Sequence, residues 1–149
     1  MVMRKSIKMA LCMALSASAV YASESGMLAS RAQKSINAGK FAKGYSQLER
    51  ALVASRKEAD RRSEARIFIA MGQVRTKSLD YDMADSLLSY VENEGMDRST
   101  RAMLVKAKMA LKNATEKYSE AVQLCEGFDE DVLGKLEDQL QGAFYSECA

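Results

Sequence analysis

The chain has 149 residues, 48% of them hydrophobic and 28% charged, with no proline, histidine or tryptophan. That length allows one domain with a single buried core, and the composition reads as globular and helix-rich rather than disordered. The formal net charge is +2, but three of the 22 basic residues and none of the 20 acidic ones fall in residues 1–22; the remainder is close to neutral, which removes any global attraction to nucleic acid or anionic lipid.

The opening "MVMRKSIKMALCMALSASAVYASES" has the layout of a secretory signal. Arg4, Lys5 and Lys8 supply the basic start, residues 9–19 the apolar run, and Val20 and Ala22 the minus-three and minus-one places that signal peptidase reads. The apolar run is shorter than the roughly 20 residues that span a bilayer as a helix. Residues 1–22 are therefore expected to be removed, leaving Ser23 as the mature start and no stable membrane span. Lipidation at Cys12 is set aside, because Leu11 stands where a lipoprotein signal wants a small residue. The mature chain is expected in the periplasm, or alternatively outside the cell.

From Met27 onward apolar residues recur every three or four positions, the helical period. Leu28, Ala32 and Ile36 share one face; so do Ile67, Met71 and Val74, and Leu104, Ala107 and Leu111. Breaks are expected at "NAGK", "KSLD", "ENEGMDRS" and "LKNAT". Asn37, Gly39 and Gly95 are expected to stop helices, glycine taking the left-handed end conformation without penalty. Asp80, Asp97, Ser99 and Thr115 are candidate N-caps, each with an oxygen for the free amides of a following helix. These signals predict an all-α chain of six helices in three antiparallel pairs, then a seventh over residues 130–144.

Three segments can be laid over one another: "GKFAKGYSQLERAL", "LDYDMADSLLSYV" and "TEKYSEAVQLCEG". In each an aromatic (Phe41, Tyr81, Tyr118) precedes a small residue (Gly44, Ala84, Ala121) by three places, and Leu48, Leu88 or Cys125 follows four places later. A small residue lets two helices approach closely while the aromatic fills the turn. Gly39 opens the first copy, and Gly72, upstream of the middle one, adds another point of close approach. The pattern resembles the tetratricopeptide repeat family over most of residues 27–127. The aromatics recur at longer intervals than that family's roughly 34 residues, and its closing proline is absent, so longer helices or loops are expected. The resemblance implies a short solenoid of about three hairpins over residues 23–127, with residues 128–149 forming a C-terminal capping helix and tail.

Chemistry finds little support. Without histidine there is no Ser/His or Cys/His pair and no imidazole metal site. Asp80 with Asp82, and Asp129 with Asp131, stand near expected helix starts, where the dipole favours negative charge. "GKFAKG" lacks the spacing and the Ser/Thr of a phosphate loop. No catalytic residue, metal ligand or cofactor is assigned. Of the ten methionines, Met27, Met71, Met83, Met96, Met103 and Met109 follow the signal; they form no dense cluster and are read as core packing rather than soft-metal ligands. "RKEADRRSEAR" interleaves opposite charges and is read as a solvated linker rather than a nucleic-acid patch. In an oxidising compartment Cys125 and Cys148 could close a loop of about 23 residues, worth about 3 kcal/mol in the chain-entropy model; the alternative is two separate thiols, one of them in the core.

In the resembled family the first helix of each pair lines a groove that receives a peptide. Carried over, the groove positions are Gln33 and Asn37, then Arg66, Gln73 and Lys77, then Lys106 and Asn113. These cations and amides would suit an acidic or carboxylate-bearing partner. Val132, Leu133, Leu136, Leu140 and Phe144 share one face of the terminal segment, which suits a cap on the last open apolar face or a docking helix. The resulting expectation is a non-catalytic adaptor that binds another protein or peptide; the competing one is a helical-bundle carrier of a soft metal or small ligand.

Overall fold

The computed structural model describes residues 23–91, 96–128, 134 and 138–149. The expected signal segment, Gly95, Asp129, Asp131, Val132, Leu133 and Leu136 lie outside them. Among the described residues the protein is all-helical: α1 (Glu24–Asn37), α2 (Phe41–Lys57), α3 (Arg61–Lys77), α4 (Tyr81–Val91), α5 (Arg98–Ala114), α6 (Tyr118–Glu126) and α7 (Asp138–Cys148). None of these helices is long and apolar enough to cross a membrane.

Four of the connections are the same device. At Gly39, Ala59, Leu79 and Glu116 the backbone turns left-handed. Each amide there bonds a carbonyl three residues back, and the next amide bonds one five residues back, as in Lys40 N to Ser35 O and Asp80 N to Arg75 O, both 2.9 Å. This closing pattern of a Schellman end caps the free carbonyls and reverses the chain within three residues. Only Gly39 takes that conformation freely. Leu79 is 72% exposed, so its side chain gains little packing in return for its φ of 62°. Leu79→Gly is expected to raise stability by about 0.5–1 kcal/mol, the relief of left-handed strain exceeding the added freedom of the unfolded chain. Gly39→Ala, whose new methyl would meet nothing within 4 Å, should cost about 1 kcal/mol for conformational reasons alone. Thermal midpoints of the two variants check the opposite signs.

The turn at Ala59 corrects one expectation. The run "RKEADRRSEAR" is not a linker: it ends α2, turns over Glu58–Asp60 and begins α3. The interleaved charges hid that turn, because Ala59 carries no breaker signal. Asp60 caps α3 by accepting from the Ser63 amide (3.0 Å), and Glu58 accepts from Ser25 N and Oγ, tying the start of α1 to this corner. Arg56 pairs with Glu64 at 3.0 Å. Among the other expected caps, Asp97 serves α5 by accepting from Thr100 N. Ser99 lies within α5, and Thr115 ends α5 instead of starting α6, its hydroxyl donating back to Leu111 O.

α1 packs along α2, α3 along α4 and α5 along α6, and α3 lies beside both α1 and α5. The long aromatic intervals have a cause in helix length, since α2, α3 and α5 each contain 17 residues. The core runs as successive apolar clusters. Leu28, Ala32 and Ile36 meet Leu48, Ala51, Ile67, Met71 and Val74. The other side of α3, with Phe68 and Ile69, meets Ala84, Leu88, Val91, Leu104, Ala107 and Leu111. Met109 and Phe144, both wholly buried, centre a third cluster. Thus α3 is buried on two faces.

Glycines set the closest helix approaches. A Cβ on Gly44 would lie 2.5 Å from Ile36 Cγ1, and one on Gly72 would lie 2.7 Å from Leu88 Cδ2. Phe41 and Tyr81 pack against the first and second clusters, and Ala84 and Ala121 are buried. Tyr118 departs from the expectation that it fills its turn: it is 60% exposed. α7 lies mainly along α5 and is tied to α6 at Cys125. The methionines also divide. Met71 and Met109 are core residues, whereas Met27 and Met83 are 46% and 44% exposed, on the solvent sides of α1 and α4.

Candidate functional site

Because α1, α3 and α5 lie side by side, their outward polar residues share one surface, and α7 rises beside it as a wall. Gln33 from α1, Gln73, Thr76 and Lys77 from α3, Met103, Lys106 and Ala110 from α5, and Leu140 and Glu147 from α7 line a hollow of about 310 Å³. Four of the seven expected groove residues meet there. Lys77 is exposed and Lys106 half-buried. Their ammonium groups have no ion-pair partner among the described residues; Glu147 is the one carboxylate on the rim. Among its described lining residues the hollow therefore carries a positive excess, together with the amides of Gln33 and Gln73 and the apolar side chains of Met103, Ala110 and Leu140.

The other three expected residues are used differently. Asn37 accepts from Gln33 Nε2 at 2.7 Å, which orients that amide from the exposed end of α1. Asn113 Nδ2 donates to the Glu147 carbonyl at 3.2 Å, so it anchors α7. Arg66 reaches across to α5, donating to Thr100 Oγ1 (3.1 Å) and Ser99 Oγ (3.2 Å). It lines a neighbouring hollow of about 250 Å³ with Gln33, Ser63 and Ile67. Beside Thr100 the Asp97 carboxyl is held below its ordinary range, first by the bond from the Thr100 amide and then by Arg62 and Arg66. Arg62 closes on Asp97 at 2.6 Å. Arg66 is thus committed to the joint between the second and third hairpins, and its charge is partly answered there.

A third hollow of about 290 Å³ lies between α4, α5 and α6, but its charges balance: Asp85 and Glu120 face Lys108 and Lys112, with Lys112 and Glu120 paired at 2.7 Å. A further hollow of about 280 Å³, lined by Phe41, Tyr45, Val74 and Arg75, holds an internal clamp, where the Arg75 guanidinium stacks 4.0 Å over Tyr45 and pairs with Asp80 at 3.2 Å. Among the described residues, the α3–α5 surface beside α7 combines cations that have no ion-pair partner with hydrogen-bonding amides.

Sequence reasoning passed over Thr76, Met103, Ala110, Leu140 and Glu147. Thr76 stands three residues after Gln73, and Met103 and Ala110 stand one turn to either side of Lys106, so helical spacing could have found them. Leu140 and Glu147 carry no such signal, since only the docking of α7 brings them to the rim. Among the described residues no three Cys, Asp or Glu side chains gather as a metal-holding group. Compared with protein-family models, with curated proteins and with solved structures, the chain finds no match.

Proposed function

We propose that this chain is an exported, non-catalytic interaction module of the tetratricopeptide-like kind, its three hairpins stacked as a short solenoid, whose inner helices receive an acidic segment of a partner protein. The observation that carries it is the placement of Lys77 and Lys106 around one hollow, flanked by Gln33 and Gln73, with no ion-pair partner for either lysine among the described residues. Point charges of this kind attract carboxylates, and side-chain amides can bond a peptide backbone. The facing sulfurs of Cys125 and Cys148 suit an oxidising compartment outside the cytoplasm.

The mature chain is expected to bind a fluorescently labelled acidic peptide, with affinity falling as salt rises. Replacing both lysines, Lys77→Ala with Lys106→Ala, should weaken binding about fivefold, as two partly solvated charges contribute about 0.5 kcal/mol each, and should leave the thermal midpoint unchanged. Anisotropy titration measures the first effect and circular dichroism the second. Equal binding by wild type and the double variant rejects the groove.

A further inference from the structure

We propose that reduction of the Cys125–Cys148 bridge turns this corner of the fold into a three-sulfur site for Cu(I), with both cysteines as thiolates and Met109 as a thioether donor. Met109 comes from α5, Cys125 from α6 and Cys148 from α7, so the fold brings together sulfurs far apart in sequence. Met109 Sδ lies 3.9 Å from Cys148 Sγ. Metal–sulfur bonds of about 2.3 Å in a trigonal arrangement put ligating sulfurs about 4 Å apart, so this pair already stands at the separation such an ion requires. Met109 is wholly buried, which fixes its thioether in place; both cysteines are half-buried and within reach of a reductant.

The surroundings select a soft ion. Val105, Leu124, Phe128 and Phe144 pack in the same apolar cluster as the three sulfurs. Thiolate and thioether donors favour Cu(I), while harder cations favour carboxylate and carbonyl oxygens. The site forms in two balanced steps. A small dithiol gives two electrons and two protons to the bridge, breaking the S–S bond to yield two thiols while the dithiol closes to its own disulfide. Cu(I) then displaces the two thiol protons, and the neutral Met109 sulfur donates a lone pair as the third ligand. The site shares no lining residue with the groove, and its two states are a closed structural bridge and a loaded metal site.

The test is competition for Cu(I) supplied as its bicinchoninate complex, with the mature chain reduced and then freed of reductant under anaerobic conditions. Reduced wild type should take one Cu(I) per chain, and the oxidised chain none. Met109→Leu, close in volume and therefore tolerated in the core, should bind at least tenfold more weakly while its oxidised form keeps the wild-type thermal midpoint. Cys125→Ser and Cys148→Ser should each abolish competitive binding. If the reduced chain loses helicity, recovery of helicity on adding Cu(I) in wild type but not in Met109→Leu supports the site by the same logic. Wild-type affinity in Met109→Leu, or no uptake by the reduced wild type, overturns it.

Discussion

Gly72→Val is expected to remove about 3 kcal/mol or more of stability, a large part of the 5–15 kcal/mol typical of a domain. Gly72 sits on α3 against α4, where even a single added carbon would lie 2.7 Å from Leu88 Cδ2 and 2.8 Å from Leu88 Cγ. Leu88 has no room to yield, being 1% exposed and surrounded by the second cluster. The ordinary gain of up to about 1 kcal/mol from removing a helical glycine is therefore outweighed. The effect has a specific remedy. Leu88→Ala alone should cost 2–5 kcal/mol through the lost side chain and the cavity left behind. Combined with Gly72→Val it should cost well under the sum of the two, because the new side chain enters the vacated space. Urea denaturation of the four proteins in the cycle measures the coupling. Strict additivity, or a Gly72→Val midpoint equal to wild type, contradicts the close crossing of α3 and α4.

Opening the bridge between Cys125 and Cys148 should cost about 3 kcal/mol, concentrated at one end of the molecule. The two sulfurs face each other at bonding distance, with the Cα atoms 5.7 Å apart and the residues 23 positions apart in sequence. A loop of that length sets the entropic magnitude. Its structural meaning comes from what it retains: α7 carries the wholly buried Phe144, which stacks 4.9 Å from Phe128, and the Glu147 carbonyl that accepts from Asn113. Cys148→Ser should lower the thermal midpoint by roughly 10 °C. It should also speed amide exchange in α6 and α7 well before α1–α3, because the first two apolar clusters do not include α7. Uniform loss of protection along the chain would show instead that α7 is integral to one cooperative core. Either result bears on the groove, since α7 supplies its wall.

Much of this was readable in advance where the cause is local. The faces Leu28–Ala32–Ile36, Ile67–Met71–Val74 and Leu104–Ala107–Leu111 all point into the core, because residues three or four apart share a helix face whatever they later touch. Gly39 announced its turn through its own backbone freedom. Ala59 and Glu116 make the same turn without any such signal, so spacing and composition alone suggest a linker around Ala59 and a helix start at Thr115. The candidate site divides in the same way. Gln33, Gln73, Lys77 and Lys106 meet around one hollow because they stand on the outward faces of neighbouring helices. Arg66 and Asn113 stand on similar faces, yet each found a partner more than thirty positions away, at Thr100 and at the Glu147 carbonyl.

By itself, then, the sequence determined helical class, most helix limits, the apolar faces and the glycines at which helices meet, all consequences of backbone preference and spacing within a few turns. Tertiary structure alone decided which polar groups are consumed by internal contacts, that α7 walls the groove, that Tyr118 is left in solvent and that Met109 lies beside the cysteine pair. Those outcomes depend on how separate helices dock, and docking is set by the summed packing of many side chains distant in sequence, for which no single position carries a sign.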